Sequence, residues 1–117
     1  MDKKLGARTY RLPSCPAVVS YASAVGKKEG EGPLGKRFDQ IFPDTKMGES
    51  TWEKAESAFQ KAACGKALEK AGLSAGALDL LLVGDLLNQC IGTTYAARET
   101  AAPFFGLYGA CSTMAES

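Results

Sequence analysis

The chain has 117 residues, 45% of them hydrophobic, with 14 basic and 13 acidic side chains giving a net charge of +1. That length allows one domain or part of one. The balanced charge excludes a nucleic-acid or anionic-membrane surface as its main feature. There is no histidine, and the cysteines at 15, 64, 90 and 111 lack metal-finger spacing, so no metal and no cofactor is expected. Lys3 and Lys4 open the chain, but Arg8 and Arg11 interrupt any signal-peptide core. The longest apolar stretch, Ala77 to Leu87, is too short to span a bilayer and contains Asp79 and Asp85. On its residues alone the chain reads as soluble and cytosol-facing.

In chain order, Arg8 to Leu12 and Ala17 to Val25 read as two short extended segments separated by Pro13, Ser14 and Pro16, a hairpin-like start to a sheet. Gly26 to Gly35 has four glycines, one proline and alternating charge, which predicts an irregular loop; residues 26–49 read as a loop-rich insertion. Leu34, Phe38, Ile41 and Phe42 follow and need cover. Ser50 to Ala71 is the best helix. Ser50 and Glu53 make a capping box. Trp52, Ala55, Phe59, Ala62, Ala63 and Ala67 recur at helical steps as one apolar face. Gly72 stands where a left-handed residue ends a helix.

Leu78 to Val83 is the next strand, apolar without alternation, as expected when both faces are covered. Thr93 to Ala101 reads as a short helix with Pro103 beyond its end. Phe104 to Tyr108 is a further strand, again apolar on both faces. Strand, helix, strand, helix, strand predicts a parallel α/β layer with right-handed crossovers.

Two strand ends carry the candidate chemistry. Asp85, Asn88 and Gln89 follow one, and Cys111 follows the other; parallel strands put both groups at one sheet edge, where α/β proteins bind ligands. Gly109, Ala110 and Ser112 are small enough for a tight strand-to-helix corner. Thr113 and Glu116 fit a capping box for the helix that follows. Cys111 then precedes a helix start, whose unpaired N–H groups favour negative charge. That arrangement supports either a nucleophilic thiolate or an anion site without reaction, or simply a buried cysteine at a tight turn. Asp85 reads equally as an N-cap for the next segment, and Arg98 as a surface charge. Cys15, Cys64 and Cys90 read as structural residues. Acyl transfer also requires a base and oxyanion donors, and the usual base, histidine, is absent from these residues.

Glu31-Gly32-Pro33-Leu34-Gly35 with Phe38-Asp39, Thr51-Trp52-Glu53-Lys54-Ala55-Glu56, Gly84-Asp85-Leu86-Leu87-Asn88-Gln89 and Phe105-Gly106-Leu107-Tyr108-Gly109-Ala110-Cys111-Ser112-Thr113 follow one another in an order and spacing that resemble the stage V sporulation protein AD family of spore-forming bacteria. The resemblance runs from about Leu5 to the end. It implies a partial thiolase-like α/β fold: residues 1–117 as the first half of an N-terminal domain of αβαβα type, with a mixed or parallel sheet and the chain stopping just after the corner cysteine.

The same resemblance puts Cys111 at the position of the thiolase nucleophile. The implied function is to bind dipicolinic acid, free or as its calcium chelate, and to act with other stage V sporulation membrane proteins in its uptake into the spore and release at germination. Cys111, Ser112, Thr113, Asp85 and Asn88 are the candidate ligand-binding residues. The implied location is the forespore or spore, soluble or peripheral at the inner membrane, and the implied assembly a homodimer of the longer protein. No catalysis is expected from these residues alone. The alternative is an acyltransferase of thiolase or ketoacyl-synthase type using Cys111 as nucleophile.

Overall fold

A computed structural model describes residues 4–117, the side chain of Asn88 excepted. The longest element is the helix α2, Trp52–Ala71. Its cap is Thr51, one residue later than the Ser50–Glu53 box predicts: the Thr51 hydroxyl accepts the Lys54 N–H at 3.3 Å. Glu53 instead accepts its own backbone N–H and the Thr51 hydroxyl, which hold its carboxyl below the usual range. Gly72 closes the helix in the left-handed region, φ 67°.

The buried face of α2 differs from the apolar stripe in the sequence. Ala55 and Ser57 are its buried residues. Trp52 is exposed, with the Lys46 ammonium 4.9 Å from its ring centroid. Phe59 does turn inward, edge-on to Phe42 at 5.5 Å. Gly65 is exposed in mid-helix, and a Cβ there would meet nothing within 4 Å. Gly65→Ala should therefore raise stability by about 0.5–1 kcal/mol, read as a shift in the urea midpoint.

The strands form two separate two-stranded sheets rather than one three-stranded layer. In the first, β1 (Ala24–Gly26) pairs in parallel with β2 (Gln40–Phe42). Only the last residues of the expected Ala17–Val25 strand take part. Arg8–Leu12 is not a strand; its neighbourhood holds one antiparallel bridge, Lys4 to Tyr10. Val18, Val19 and Tyr21 are 85%, 76% and 75% exposed. Their β propensity finds no strand to pair with, and propensity without a packing partner does not fix an element. The 26–49 region, read as loop-rich, contains β2 and a single helical turn, α1 (Lys27–Gly30), directly after β1. Gly35 explains part of its glycine content: a Cβ there would run into the Gly30 carbonyl.

Asp39 fastens this first sheet to α2. Its carboxylate accepts from Ser23 N–H at 2.9 Å and from the Lys70 ammonium at 2.8 Å, while Lys70 also lies 4.4 Å from the Tyr21 ring centroid. The Lys70 hydrogen bond and then the Ser23 N–H hold the Asp39 carboxyl below its ordinary value. A depressed carboxyl stabilises the fold above about pH 4 and loses that contribution as pH falls through the lowered folded value. Lys70→Met should flatten the acid limb of stability below pH 4 relative to the parent, measured by denaturant midpoints from pH 6 to pH 2.

The second sheet pairs β3 (Leu81–Gly84) with β4 (Phe104–Leu107), also in parallel, in register Leu81↔Phe104 through Gly84↔Leu107. The strand direction matches the expectation; β3 starts three residues later than predicted. The crossover helix α3 is Ile91–Ala97, two residues earlier at its start and four shorter at its end than predicted. α3 packs on α2. Ser57 Oγ donates to the Gly92 carbonyl at 2.7 Å, and a Cβ on Gly92 would sit 2.8 Å from Glu56 Cγ, so the helices meet there at backbone distance. Ala96, Ala97 and Thr93 fill the contact.

The two-faced cover expected for β3 and β4 is one-sided. Leu107 is buried, whereas Leu80, Leu82 and Phe105 are 52%, 41% and 62% exposed. The radius of gyration, 16.1 Å, exceeds the roughly 13 Å of a compact domain near this length. These residues therefore form a mixed α/β unit with one apolar sheet face open.

Candidate functional site

The two strand-to-helix corners at the carboxyl ends of β3 and β4 lie against each other. From the first, Cys90 is buried and its thiol donates to the Leu107 carbonyl at 3.1 Å; Gln89 N–H donates to the Tyr108 hydroxyl at 3.3 Å. From the second, Thr113 reaches back to the end of β3. A Cβ on Gly84 would lie 2.8 Å from Thr113 Cγ2 and 3.0 Å from its Oγ1, and would also meet the Leu107 carbonyl. Glycine at 84 is thus what lets the second corner close over β3.

Both corners are bent into unfavourable backbone. Gln89, Cys90 and Ala110 have φ of 59°, 54° and 48°. Non-glycine residues pay roughly 1–2 kcal/mol each in that region, and such outliers gather where a structure presents side chains for function. Nothing in the residue types announces them; glycine is what a left-handed position ordinarily selects.

Asp85 is 7% exposed, and its Oδ2 accepts the Thr93 N–H at 2.7 Å, in the first turn of α3. It is the remote cap of that helix, the N-cap alternative raised by its sequence position. Its Oδ1 is buried without a hydrogen-bond partner among the described residues, as is Thr113 Oγ1. Ser112 is exposed; its hydroxyl donates to the Gly109 carbonyl at 2.9 Å and is in short contact with the Glu116 carboxylate. The expected Thr113–Glu116 box does not form: Thr113 turns toward β3, and the helix that follows starts after Ser112 without a side-chain cap. Cys111 is exposed, in the turn Ala110–Ser112 just ahead of α4 (Thr113–Glu116). Asn88 belongs to the first corner by its backbone; its side chain lies outside the described residues.

The remaining cysteines divide. Cys64 is half-buried on α2, and burial pushes its thiol up. Cys15, expected to be structural, is exposed. All four are free thiols. Among the described residues no group of three His, Cys, Asp or Glu side chains could hold a metal ion.

A wide cleft of about 700 Å³ lies elsewhere, between the start of α2 and the outer side of α3, lined by Glu53, Lys54, Ser57, Lys61, Tyr95 and Arg98 among others. It does not include the Gly109–Thr113 corner. Arg98, read as a surface charge, sits on its rim.

The family model described as stage V sporulation protein AD matches residues 6–117 of this chain. The chain belongs to the stage V sporulation protein AD family. It is 39% identical over 115 residues to the stage V sporulation protein AD of Bacillus subtilis (strain 168), an alignment covering 98% of this chain and 34% of that relative. The chain thus spans about a third of the length of the curated relative it matches. Family membership assigns it a role in sporulation. The matched span takes in both corners, residues 84–90 and 107–113. No helix among the described residues is long and apolar enough to cross a membrane.

Proposed function

We propose that this chain is the N-terminal part of a thiolase-like sporulation protein that binds dipicolinic acid without transforming it, and that the joined corners at the ends of β3 and β4 form one wall of the site. The observation that carries this reading is the clustering of strained backbone: three of the five non-glycine residues with positive φ among the described residues stand at these two corners. Cys111 and Ser112 present small polar side chains there, while Thr113 turns inward and holds the corner on β3; the Ser112 and Thr113 N–H groups are spent on the Gly109 and Ala110 carbonyls. Asp85 acts by fixing α3 rather than by touching the ligand, and Asn88 belongs to the same edge through its backbone.

Charge refines the ligand. Glu116 stands over Ser112, so a bare dicarboxylate would meet a like charge, whereas a calcium chelate would not. The chelate is therefore the favoured form. Binding of this kind serves uptake into the spore and release at germination, in company with membrane proteins of the same sporulation stage. The location is the forespore, soluble or peripheral at the inner membrane, with the full-length protein a homodimer.

Calorimetric titration of the full-length protein with dipicolinate, in calcium and then in chelator, tests this. Saturable heat that is larger with calcium and at least tenfold weaker in Cys111→Ala supports it. No heat in either condition overturns it. A covalent acyl adduct on Cys111 after incubation with acyl-CoA would instead establish the acyltransferase reading.

A further inference from the structure

We propose that the arm formed by residues 4–19 attaches the protein to an anionic lipid surface. The net charge of +1 hides an uneven distribution. Residues 3–28 carry six basic and no acidic side chains, whereas residues 29–117 carry eight basic and twelve acidic. Charge balance over the whole chain therefore does not describe its first part. The inference rests on the peripheral-membrane location proposed above and not on dipicolinate binding.

The arm stands clear of the rest of the fold. Every residue from 4 to 19 is exposed. A small hairpin forms its end: Leu5 N–H donates to the Thr9 carbonyl at 2.8 Å, Lys4 and Tyr10 make an antiparallel bridge, and the Lys4 ammonium lies 6.0 Å from the Tyr10 ring centroid. Gly6, Ala7 and Arg8 form the bend, and a Cβ on Gly6 would meet nothing within 4 Å. The chain is tied down just after the arm, where the Ser20 hydroxyl donates to the Ala67 carbonyl of α2 at 2.6 Å.

The residue types suit a bilayer interface. Leu5, Tyr10 and Leu12 are 58%, 66% and 62% exposed. Arg8 and Arg11 form no ion pair among the described residues. The pairing places Lys4 and Tyr10 on one face of the hairpin and Leu5 on the other, so apolar groups point both ways. A protein surface covers one such face. A fluid interface surrounds the tip, with headgroup phosphates beside the cations and acyl chains beneath the leucines. A nucleic acid supplies the phosphates but no apolar phase. Stable attachment takes two signals, an apolar insertion and a basic patch, and each basic side chain near an anionic surface strengthens binding about fivefold.

Flotation of the full-length protein tests this with two kinds of vesicle: phosphatidylglycerol and phosphatidylcholine in equal parts, and phosphatidylcholine alone. Binding should be about tenfold tighter or more on the anionic vesicles. Arg8→Gln combined with Arg11→Gln should weaken it about tenfold or more. Leu5→Ser combined with Leu12→Ser, at unchanged charge, should weaken it about fivefold or more. Both double variants should melt with the parent, because the side chains they change are exposed. In Tyr10→Trp, the added fluorescence should shift to the blue on anionic vesicles. The proposal is overturned by no binding, by equal binding to the two kinds of vesicle, by full affinity in either double variant, or by an unshifted Tyr10→Trp emission. Binding to polyuridylate that the arginine variant loses, with no flotation, overturns it in favour of a nucleic acid. Flotation without dipicolinate heat would leave the attachment standing and remove the ligand reading, and heat without flotation would do the reverse.

Discussion

Gly84→Ala should lower stability by about 3 kcal/mol and abolish dipicolinate binding together. The added methyl has no room: it would meet the Leu107 carbonyl of the neighbouring strand and the Thr113 side chain at 2.8 Å. Neither obstacle is a flexible side-chain tip. The carbonyl belongs to the parallel register that places Gly84 against Leu107, and Thr113 begins the helix behind Cys111. Something in the backbone must shift, and overpacking of this kind typically costs 1–3 kcal/mol, occasionally more. For a chain near this length the melting temperature should fall by roughly 10 °C. The comparison that gives the result its meaning is Gly65→Ala, the same chemical change at a position with open space, which should move stability the other way. Matching losses at both positions would show that helix and strand propensity, not the closure of the corner on β3, governs position 84.

The second large effect belongs to Asp85. Asp85→Ala should cost about 2–3 kcal/mol, because it leaves the Thr93 N–H without its acceptor in a buried setting and removes a charge-assisted bond of 2.7 Å at a helix start. Asp85→Asn keeps an acceptor oxygen and should cost about half as much. Chemical denaturation of the two variants measures this directly. The pair also separates the two roles weighed for this residue. A cap loses stability first, and loses binding only as far as α3 loosens. A direct ligand contact would lose binding in Asp85→Asn with stability nearly untouched, and that outcome would return Asp85 to the ligand's own surroundings.

Much of the frame was legible in the sequence, for identifiable reasons. The α2 helix announced itself by length and by Gly72, whose left-handed closure the structure reproduces. The parallel sense of β3 and β4 followed from an intervening helix, since two parallel strands need a crossover. The family resemblance rested on spaced stretches that the family match over residues 6–117 then covered.

What was not legible depends on contacts between segments distant in the chain. Ser50 and Thr51 are both good caps, and only the geometry of the entering chain chose Thr51. Tyr21 and its neighbours have strand composition, but no strand pairs with them. Gln40–Phe42 is too short to signal itself and becomes a strand by pairing with Ala24–Gly26. Ser57 carries no signal of its own in the sequence, yet its hydroxyl bonds the Gly92 carbonyl where the two helices meet. At the site, the small-residue corner around Cys111 was visible as a pattern. The strain at Gln89, Cys90 and Ala110 was not, because residue type reports the backbone a position prefers and not the one it is made to adopt.

Hydrogen exchange of the full-length protein with and without calcium dipicolinate bears most directly on the central claim. We expect slowed exchange at the amides of residues 109–113 and 89–91 on ligand addition, with α1 and the turn at residues 44–48 unchanged. Ligand-dependent protection confined to other parts of the protein, with both corners exchanging as before, would contradict the assignment of this sheet edge to the ligand.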